Sequence, residues 1–484
     1  MQAMDLWLPS IAVALIIVLI SCILNFNSWF YAPKLRPGSP PLPPGSLGWP
    51  VFGNMGDFLQ AFKSSNPESF VGGFISKYGC GGLYKAFLFR QPTILATSAE
   101  VCKTVLCNHD VFEIGWPERV VKELLGLKVL SAVTGDDHLK LSKLVKPALS
   151  SPKAIQHQMP CIEENVKKLL DEWADRGNIV FLDEARMFTL KTIHEILVGE
   201  DTGIDFKQVS GLFHTMNKGL RALPLNFPGT AYSNAVKARA TLANDFWRIF
   251  YERKESKKRG GDTLSMLLDA TDEGGQPLED DQIVDLIMSF MNGGHESTAH
   301  LVTWLAILLK EHPAVYQRLK AEQDEIALKK MPGESLTLAD MRSMTYMSRV
   351  IDETLRLINI SPFVFRKVLS DVQLNGYTIP RGWFVEAWLR QVHMDPLVHK
   401  NPREFDPDRW INEKPQPHTY VAFGLGNRKF PGSNLSKIQS SIIIHHLITK
   451  YNWEPLNPHY KLVYLPHPRP ADHYPVKITK RALV

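Results

Sequence analysis

The chain has 484 residues, 44% of them hydrophobic, which is ample for a large core and leaves room for two or three domains or one large one. Lys and Arg outnumber Asp and Glu by 55 to 50, and a net charge of +5 spread over this length is too diffuse to indicate nucleic acid or another polyanion as partner. The five cysteines, Cys22, Cys80, Cys102, Cys107 and Cys161, are odd in number and lack CxxC spacing, which argues against a disulfide framework or a cysteine-based zinc site, and no cysteine follows Cys161.

Leu6 to Leu24 form an almost uncharged run of 19 residues, close to the ~20 that a helix needs to cross a bilayer. It is longer than the apolar region of a cleaved signal peptide, and no A-x-A-like site follows it. Residues 1–27 are therefore read as an N-terminal membrane anchor. Asp5 precedes the run without any Lys or Arg, whereas Lys34 and Arg36 follow it. The positive-inside bias then leaves the rest of the chain in the cytosol, a reducing compartment that suits unpaired cysteines. Residues 28–50 are read as a hinge: from Pro33 to Pro50 lie seven prolines together with Gly38, Gly45 and Gly48, a stretch that cannot be helical and acts as a semi-rigid spacer between membrane and body.

No repeat, low-complexity tract or second such linker interrupts residues 51–484, which are read as one domain. Leu83 to Thr97 alternates as a strand pair does, around the turn-like Arg90-Gln91-Pro92. Ile162, Val166, Leu169, Leu170 and Trp173 recur at helical spacing. Asp280 to Leu309 is apolar nearly all round, opens on acidic residues and stops before His312-Pro313, so a long helix through the core is expected. Val372 to Leu389 carries an Asn375-Gly376 hairpin turn. The body is expected to be mainly α with a smaller β portion.

Four stretches carry chemistry. Asn292-Gly293-Gly294-His295-Glu296-Ser297-Thr298 breaks the apolar wall of the long helix. Two glycines inside a helix cost about 1 kcal/mol each relative to Ala. Close approach of a flat ligand would explain them, with Glu296 and the hydroxyls relaying protons; so would helix–helix packing with solvated polar neighbours. Glu353 and Arg356 lie three apart on one helix face, a pair that is ordinarily exposed and weak. Asn401 to Trp410 holds prolines that forbid regular structure and Arg409, suited to docking on a buried carboxylate. Phe423-Gly424-Leu425-Gly426-Asn427-Arg428-Lys429-Phe430-Pro431-Gly432 is a Gly-rich loop leading into an apolar helix, without the Gly-Lys-Ser/Thr ending of a P-loop.

In that order, behind an anchor and a proline-rich hinge, these stretches resemble the microsomal cytochrome P-450 family over essentially the whole chain. The resemblance implies the cytochrome P-450 fold, an oxygen-activating stretch at Gly293 to Ser297, a buried structural triad of Glu353, Arg356 and Arg409, and a haem-binding loop at Phe423 to Gly432. His295-Glu296-Ser297, the hairpin from Asn375 to Pro380 and His393-Met394-Asp395-Pro396 are most similar to plant enzymes related to ent-kaurenoic acid oxidase, which oxidise diterpenoid, triterpenoid and sterol-like substrates. Such a protein would sit in the endoplasmic reticulum membrane by a single span with its body in the cytosol.

Two departures bear on activity. The position that the family gives to the iron-ligating cysteine is occupied by Phe430, which has no lone pair to donate. On the helix that matches the propionate-contacting one, the basic residue expected four after His138 is Ser142, whereas Arg428 and Arg366 match two further propionate contacts and remain. Ser436 and Gln439, after the loop, are milder changes. A single base change explains Phe430 alone but not Ser142 as well. The expectation is therefore a neofunctionalised protein that keeps the fold and its apolar cavity without haem-thiolate chemistry: no cofactor, or haem without thiolate ligation. It would act on a lipophilic specialised metabolite such as a terpenoid, by acid–base isomerisation, cyclisation, dehydration or rearrangement. Glu296, His295, Ser297 and Thr298 are the candidate catalytic residues, with burial raising the Glu296 pKa and lowering that of His295. The alternatives are a non-catalytic binder or scaffold for other biosynthetic enzymes at the membrane, and a conventional monooxygenase with an atypical or mis-sequenced ligand.

Overall fold

The structure, a computed structural model, describes every residue except 1–6, 32, 116–117, 201, 221, 258–259, 332, 413–415, 466 and 482–484. Its contacts divide the chain into two compact units, one of residues 1–115 and 361–398 and one of residues 116–360 and 399–484.

The first unit begins with helix α1 (Trp7–Phe30). The run expected to span a membrane falls on it, but Leu6 and the side chains of residues 7–12, 20, 23 and 24 lie outside the described set. Among the described residues no helix is long and apolar enough to cross a membrane. Helices α2 (Met55–Lys63), α3 (Glu68–Tyr78) and α4 (Ala99–Cys107) accompany a sheet built from β1 (Leu83–Leu88), β2 (Gln91–Ala96), β3 (Phe112–Ile114), β4 (Val364–Val368) and β7 (Phe384–Ala387). The strand order is β1-β2-β7-β4-β3, with only β2 and β7 parallel. The β1–β2 turn is made by Phe89 and Arg90, both at positive φ, so Gln91 and Pro92 lie in the strand rather than in the turn. Pro92 is tolerated there because it stands at the start of the strand. β5 (Val372–Leu374) and β6 (Tyr377–Ile379) form the Asn375-Gly376 hairpin, both turn residues left-handed as a type I′ turn requires. An aromatic cluster of Phe58, Phe62, Phe70, Phe363 and Trp388 packs this unit, with ring centroids 4.6 to 6.3 Å apart.

The second unit is helical: α5 (Gly135–Ser150), α6 (Pro152–Arg176), α7 (Phe181–Val198), α8 (Phe206–Leu220), α9 (Ala231–Ser256), α10 (Asp280–Glu311), α11 (Thr345–Ile358) and α12 (Ser433–Lys450) are its main helices. α10 is the long core helix expected from the sequence, 32 residues from an acidic first turn to His312, with Pro313 opening the next helix. It packs on α7, α9, α11 and α12. The wall from Leu301 to Leu309, buried throughout and apolar except for Thr303, whose hydroxyl donates to the Ala299 carbonyl at 2.8 Å, explains why it lies inside. A small sheet with Pro475–Lys480 between Asn178–Val180 and Tyr451–Pro455 closes the unit.

Candidate functional site

The Gly-rich loop turns on Gly424 and Gly426, both at positive φ, where a side chain would be strained. The turn lets the Phe430 N–H donate to the Phe423 carbonyl at 3.0 Å. Arg428 is pulled the other way: its guanidinium donates to the carbonyls of Leu130 at 2.7 Å and Val133 at 2.6 Å. The Phe430 ring thus reaches α10. A Cβ placed on Gly293 would lie 3.7 Å from its Cε2 and 4.0 Å from its Cζ, and one on Gly432 would lie 3.0 Å from its Cε1. Phe423 stacks nearly parallel to it, with centroids 6.5 Å apart.

The two glycines of α10 have different reasons. Gly293 faces the Phe430 ring, whereas a Cβ on Gly294 would meet Ile193 of α7 at 3.1 Å, so close helix packing accounts for the second. Ser297 lies one turn on from Gly293 and donates its hydroxyl to the Gly293 carbonyl at 3.0 Å. Thr298 is buried and donates to the Ser436 hydroxyl of α12 at 3.1 Å. That gives the unusual Ser436 a role that sequence reasoning missed.

His295 and Glu296 do not join them. His295 is buried, its Nδ1 within 2.8 Å of the Met291 carbonyl and its ring against Phe213 of α8. Burial lowers its pKa, with the neighbouring Glu296 charge opposing. Glu296 points to α7, where Arg186 holds it at 2.8 Å while also bonding Asp183 at 3.2 Å. Burial does raise the Glu296 pKa, as expected from the sequence, but Arg186, with His300 and His295 nearby, outweighs it and holds the carboxyl at about 2. The expectation of a Glu296 tuned toward neutrality is therefore corrected: it is an ion-paired carboxylate, and the four candidate acid–base groups do not converge as a set, although His295 Nε2 comes within 3.9 Å of a Glu296 carboxylate oxygen. Arg186 lies 110 residues away in sequence and carries no motif that would have found it. Replacing Arg186 with Ala is expected to cost about 1.5–3 kcal/mol in a urea melt. It should also raise the Glu296 pKa by carboxyl NMR titration; an unmoved titration would refute the pairing. The depressed pKa stabilises the fold above pH 4.5, a gain lost as pH falls toward 2, and the variant should lack this acid limb.

Of the expected propionate contacts, His138 is buried on α5 and Ser142 one turn later is buried with its hydroxyl unpartnered. Arg366 belongs to the first unit, on β4. It is 8% exposed, donates to the Phe365 carbonyl at 2.8 Å and leaves its Nε without a partner, and burial lowers its pKa to about 10. The triad is formed as the resemblance implied. Arg356 donates to Glu353 at 2.9 and 2.8 Å, and Arg409 reaches Glu353 at 3.3 Å, all three side chains buried.

A thiolate-ligated haem does not fit these residues. At the position that the resemblance gives to the iron ligand the loop offers an aromatic ring, which has no lone pair to donate. Among the described residues no group of three or more His, Cys, Asp or Glu could hold a metal ion.

The family model for cytochrome P450 matches residues 43–464. The chain is 41% identical to ent-kaurenoic acid oxidase 2 of Arabidopsis thaliana over 98% of each chain. It is 39% identical to the 7,8-epoxymelianol synthase of Ailanthus altissima, over 98% of this chain and 97% of that one. The solved structure of the cyanobacterial CYP120A1 with retinoic acid bound covers 92% of this chain and 100% of its own, with a TM-score of 0.82 at 27% identity. This chain belongs to the cytochrome P450 family.

Proposed function

We propose that this chain is a non-oxidative member of its family, a protein of the endoplasmic reticulum membrane that takes up a terpenoid-class lipophilic molecule without activating oxygen on a haem-thiolate. The observation that carries this reading is the Phe430 ring, which stands at the loop position of the iron ligand and packs against Gly293. The ligand class is carried over from the plant relatives, an ent-kaurenoic acid oxidase and a 7,8-epoxymelianol synthase. The exposed apolar side chains of α1, Val13 and Leu15 to Leu19, support single-pass anchoring with the body in the cytosol.

Between catalysis and binding, the geometry supports binding, either of the ligand alone or in presenting it to other biosynthetic enzymes. A general acid at Glu296 would first have to be released from Arg186, and the Ser297 and Thr298 hydroxyls are both engaged. The test is the reduced, CO-treated spectrum and haem content of the purified chain beside Phe430→Cys, with binding of a radiolabelled diterpenoid acid measured on both. The unmutated chain is expected to show no thiolate-type Soret band and yet to retain the ligand. A thiolate-type band from the unmutated chain would overturn the reading. Turnover of the ligand under anaerobic, NADPH-free conditions that is lost in Glu296→Gln would restore acid–base catalysis.

A further inference from the structure

The end of α1 does not lead freely into the proline-rich segment. Asn27 is 1% exposed although it sits among exposed neighbours, and its side chain is fully used. Its Nδ2 donates to the carbonyls of Leu47 at 3.0 Å and Trp49 at 2.6 Å, and its Oδ1 accepts from the Val51 N–H at 3.4 Å. Tyr31 adds a ring contact to Phe87 of β1 at 5.0 Å. The loop so gripped is itself closed by the reciprocal Trp49–Gly53 backbone bonds, and Asn54 ties it to the backbone of Phe87 through its own backbone and side chain. Helix, loop and sheet edge are one hydrogen-bonded piece within the first unit.

What this piece presents outward is apolar. Trp29 is 84% exposed, Phe30 67%, Trp49 62%, Val51 53% and Phe52 74%, with Phe26 stacked on Phe30 behind them. Val51 holds a positive φ of 64°, an unfavourable backbone for a β-branched residue, and the gripped loop retains it. Aromatic side chains at the end of an apolar helix are what the membrane–water interface favours, since their rings tolerate both media. Charge agrees: between Phe26 and Gly56 the sequence has no Asp or Glu, while Lys34 and Arg36 are exposed. Cations among interfacial aromatics complement anionic headgroups.

We propose that Phe26, Trp29, Phe30, Trp49, Val51 and Phe52 form a single platform seated in the headgroup layer of an anionic bilayer, with Asn27 as the lock that fixes the first unit to its anchor. The proposal rests on the membrane anchoring put forward above. Residues 28–50 then hold the first unit in a set orientation at the surface and do not act as a swinging hinge.

The experiment uses the full chain in nanodiscs of phosphatidylcholine and phosphatidylserine whose acyl chains are brominated, with resistance to alkaline carbonate recorded in parallel on vesicles of the same lipids. Tryptophan fluorescence is expected to be quenched, and Trp49→Phe, a substitution that keeps the packing, should remove part of that quenching. Asn27→Ala should remove the same part while the chain stays carbonate-resistant, because the helix remains inserted and only the loop comes free. Unchanged quenching in Trp49→Phe with the chain still inserted would overturn the platform and leave the anchor standing. Release by carbonate would overturn both. Cross-linking of two copies through the loop, without lipid quenching, would assign the patch to self-association instead.

Discussion

Arg356→Ala is expected to leave the second unit unfolded or barely folded. Glu353 has no exposure at all, and its carboxylate is held by Arg356 at 2.9 and 2.8 Å, by the Asp406 N–H at 3.0 Å and by Arg409 at 3.3 Å. Arg356 in turn donates to the carbonyls of Pro402 at 2.7 Å and Glu404 at 3.1 Å, so one guanidinium both neutralises the carboxylate and pins an irregular segment that cannot satisfy itself with secondary structure. Deleting Arg356 leaves the buried carboxylate only the longer Arg409 contact and the Asp406 N–H, and removes two charge-assisted bonds worth about 1.5–3 kcal/mol each. Two carbonyls lose their donor as well. Against a total stability of about 5–15 kcal/mol for a domain, the loss is a large part of the whole. Arg356→Lys should be nearly as damaging, because a single ammonium cannot replace the fork that serves Glu353 and two carbonyls together. Urea melts followed by far-UV circular dichroism check this; a variant within 1 kcal/mol of the unmutated chain would show that the network does not hold the fold.

That prediction also shows what the sequence alone conveys. By spacing alone Glu353 and Arg356 read as an ordinary surface pair; the family resemblance implied their burial, and the packing around α11 provides it. The long helix α10 was legible because apolar residues on every side leave it nowhere to lie but the core, and the Asn375-Gly376 turn because its two residues are the ones that adopt left-handed backbone. The Phe89-Arg90 turn was not, since neither residue favours positive φ and only the pairing of β1 with β2 imposes it. In the site, adjacency in sequence misled. Gly293 and Gly294 look alike, yet one faces the Phe430 ring and the other Ile193, and His295, Glu296, Ser297 and Thr298 radiate to four different neighbours because successive residues on a helix turn by about 100°. The partner that decides the chemistry of Glu296, Arg186, comes from another helix, and no local pattern announces it.

Glu386 gives the second large effect, and its sign is opposite to that of Glu296. It lies on β7 opposite Leu95 of β2 and Phe365 of β4, wholly buried. One carboxyl oxygen accepts from the Trp388 indole at 3.2 Å and the other has no partner. Burial pushes its pKa up to about 8, the Trp388 bond opposing only weakly. The folded chain therefore keeps a proton that the unfolded chain gives up near pH 4.5, so the stability of the protonated state is whole below 4.5 and is lost as pH rises to about 8. Buried histidines act in the reverse sense at lower pH: burial depresses His194 to about 4 and His300 to about 3 from an ordinary 6.5, so they destabilise the fold as pH falls below 6.5. From pH 6.5 to 8 the Glu386 contribution should fall by about 2 kcal/mol, at ~1.36 kcal/mol per pH unit, while the histidines, half charged in the unfolded chain at 6.5, lose that charge and oppose the fall. Glu386→Leu removes the titration and fills the site with a side chain suited to a two-sided buried strand, so its urea midpoint should not fall over that range and should exceed the unmutated value at pH 8. The difference between the two chains, measured at each pH, cancels the histidines. A difference that does not grow between pH 6.5 and 8 would mean that Glu386 is already ionised in the folded chain, stabilised by a donor to its second oxygen.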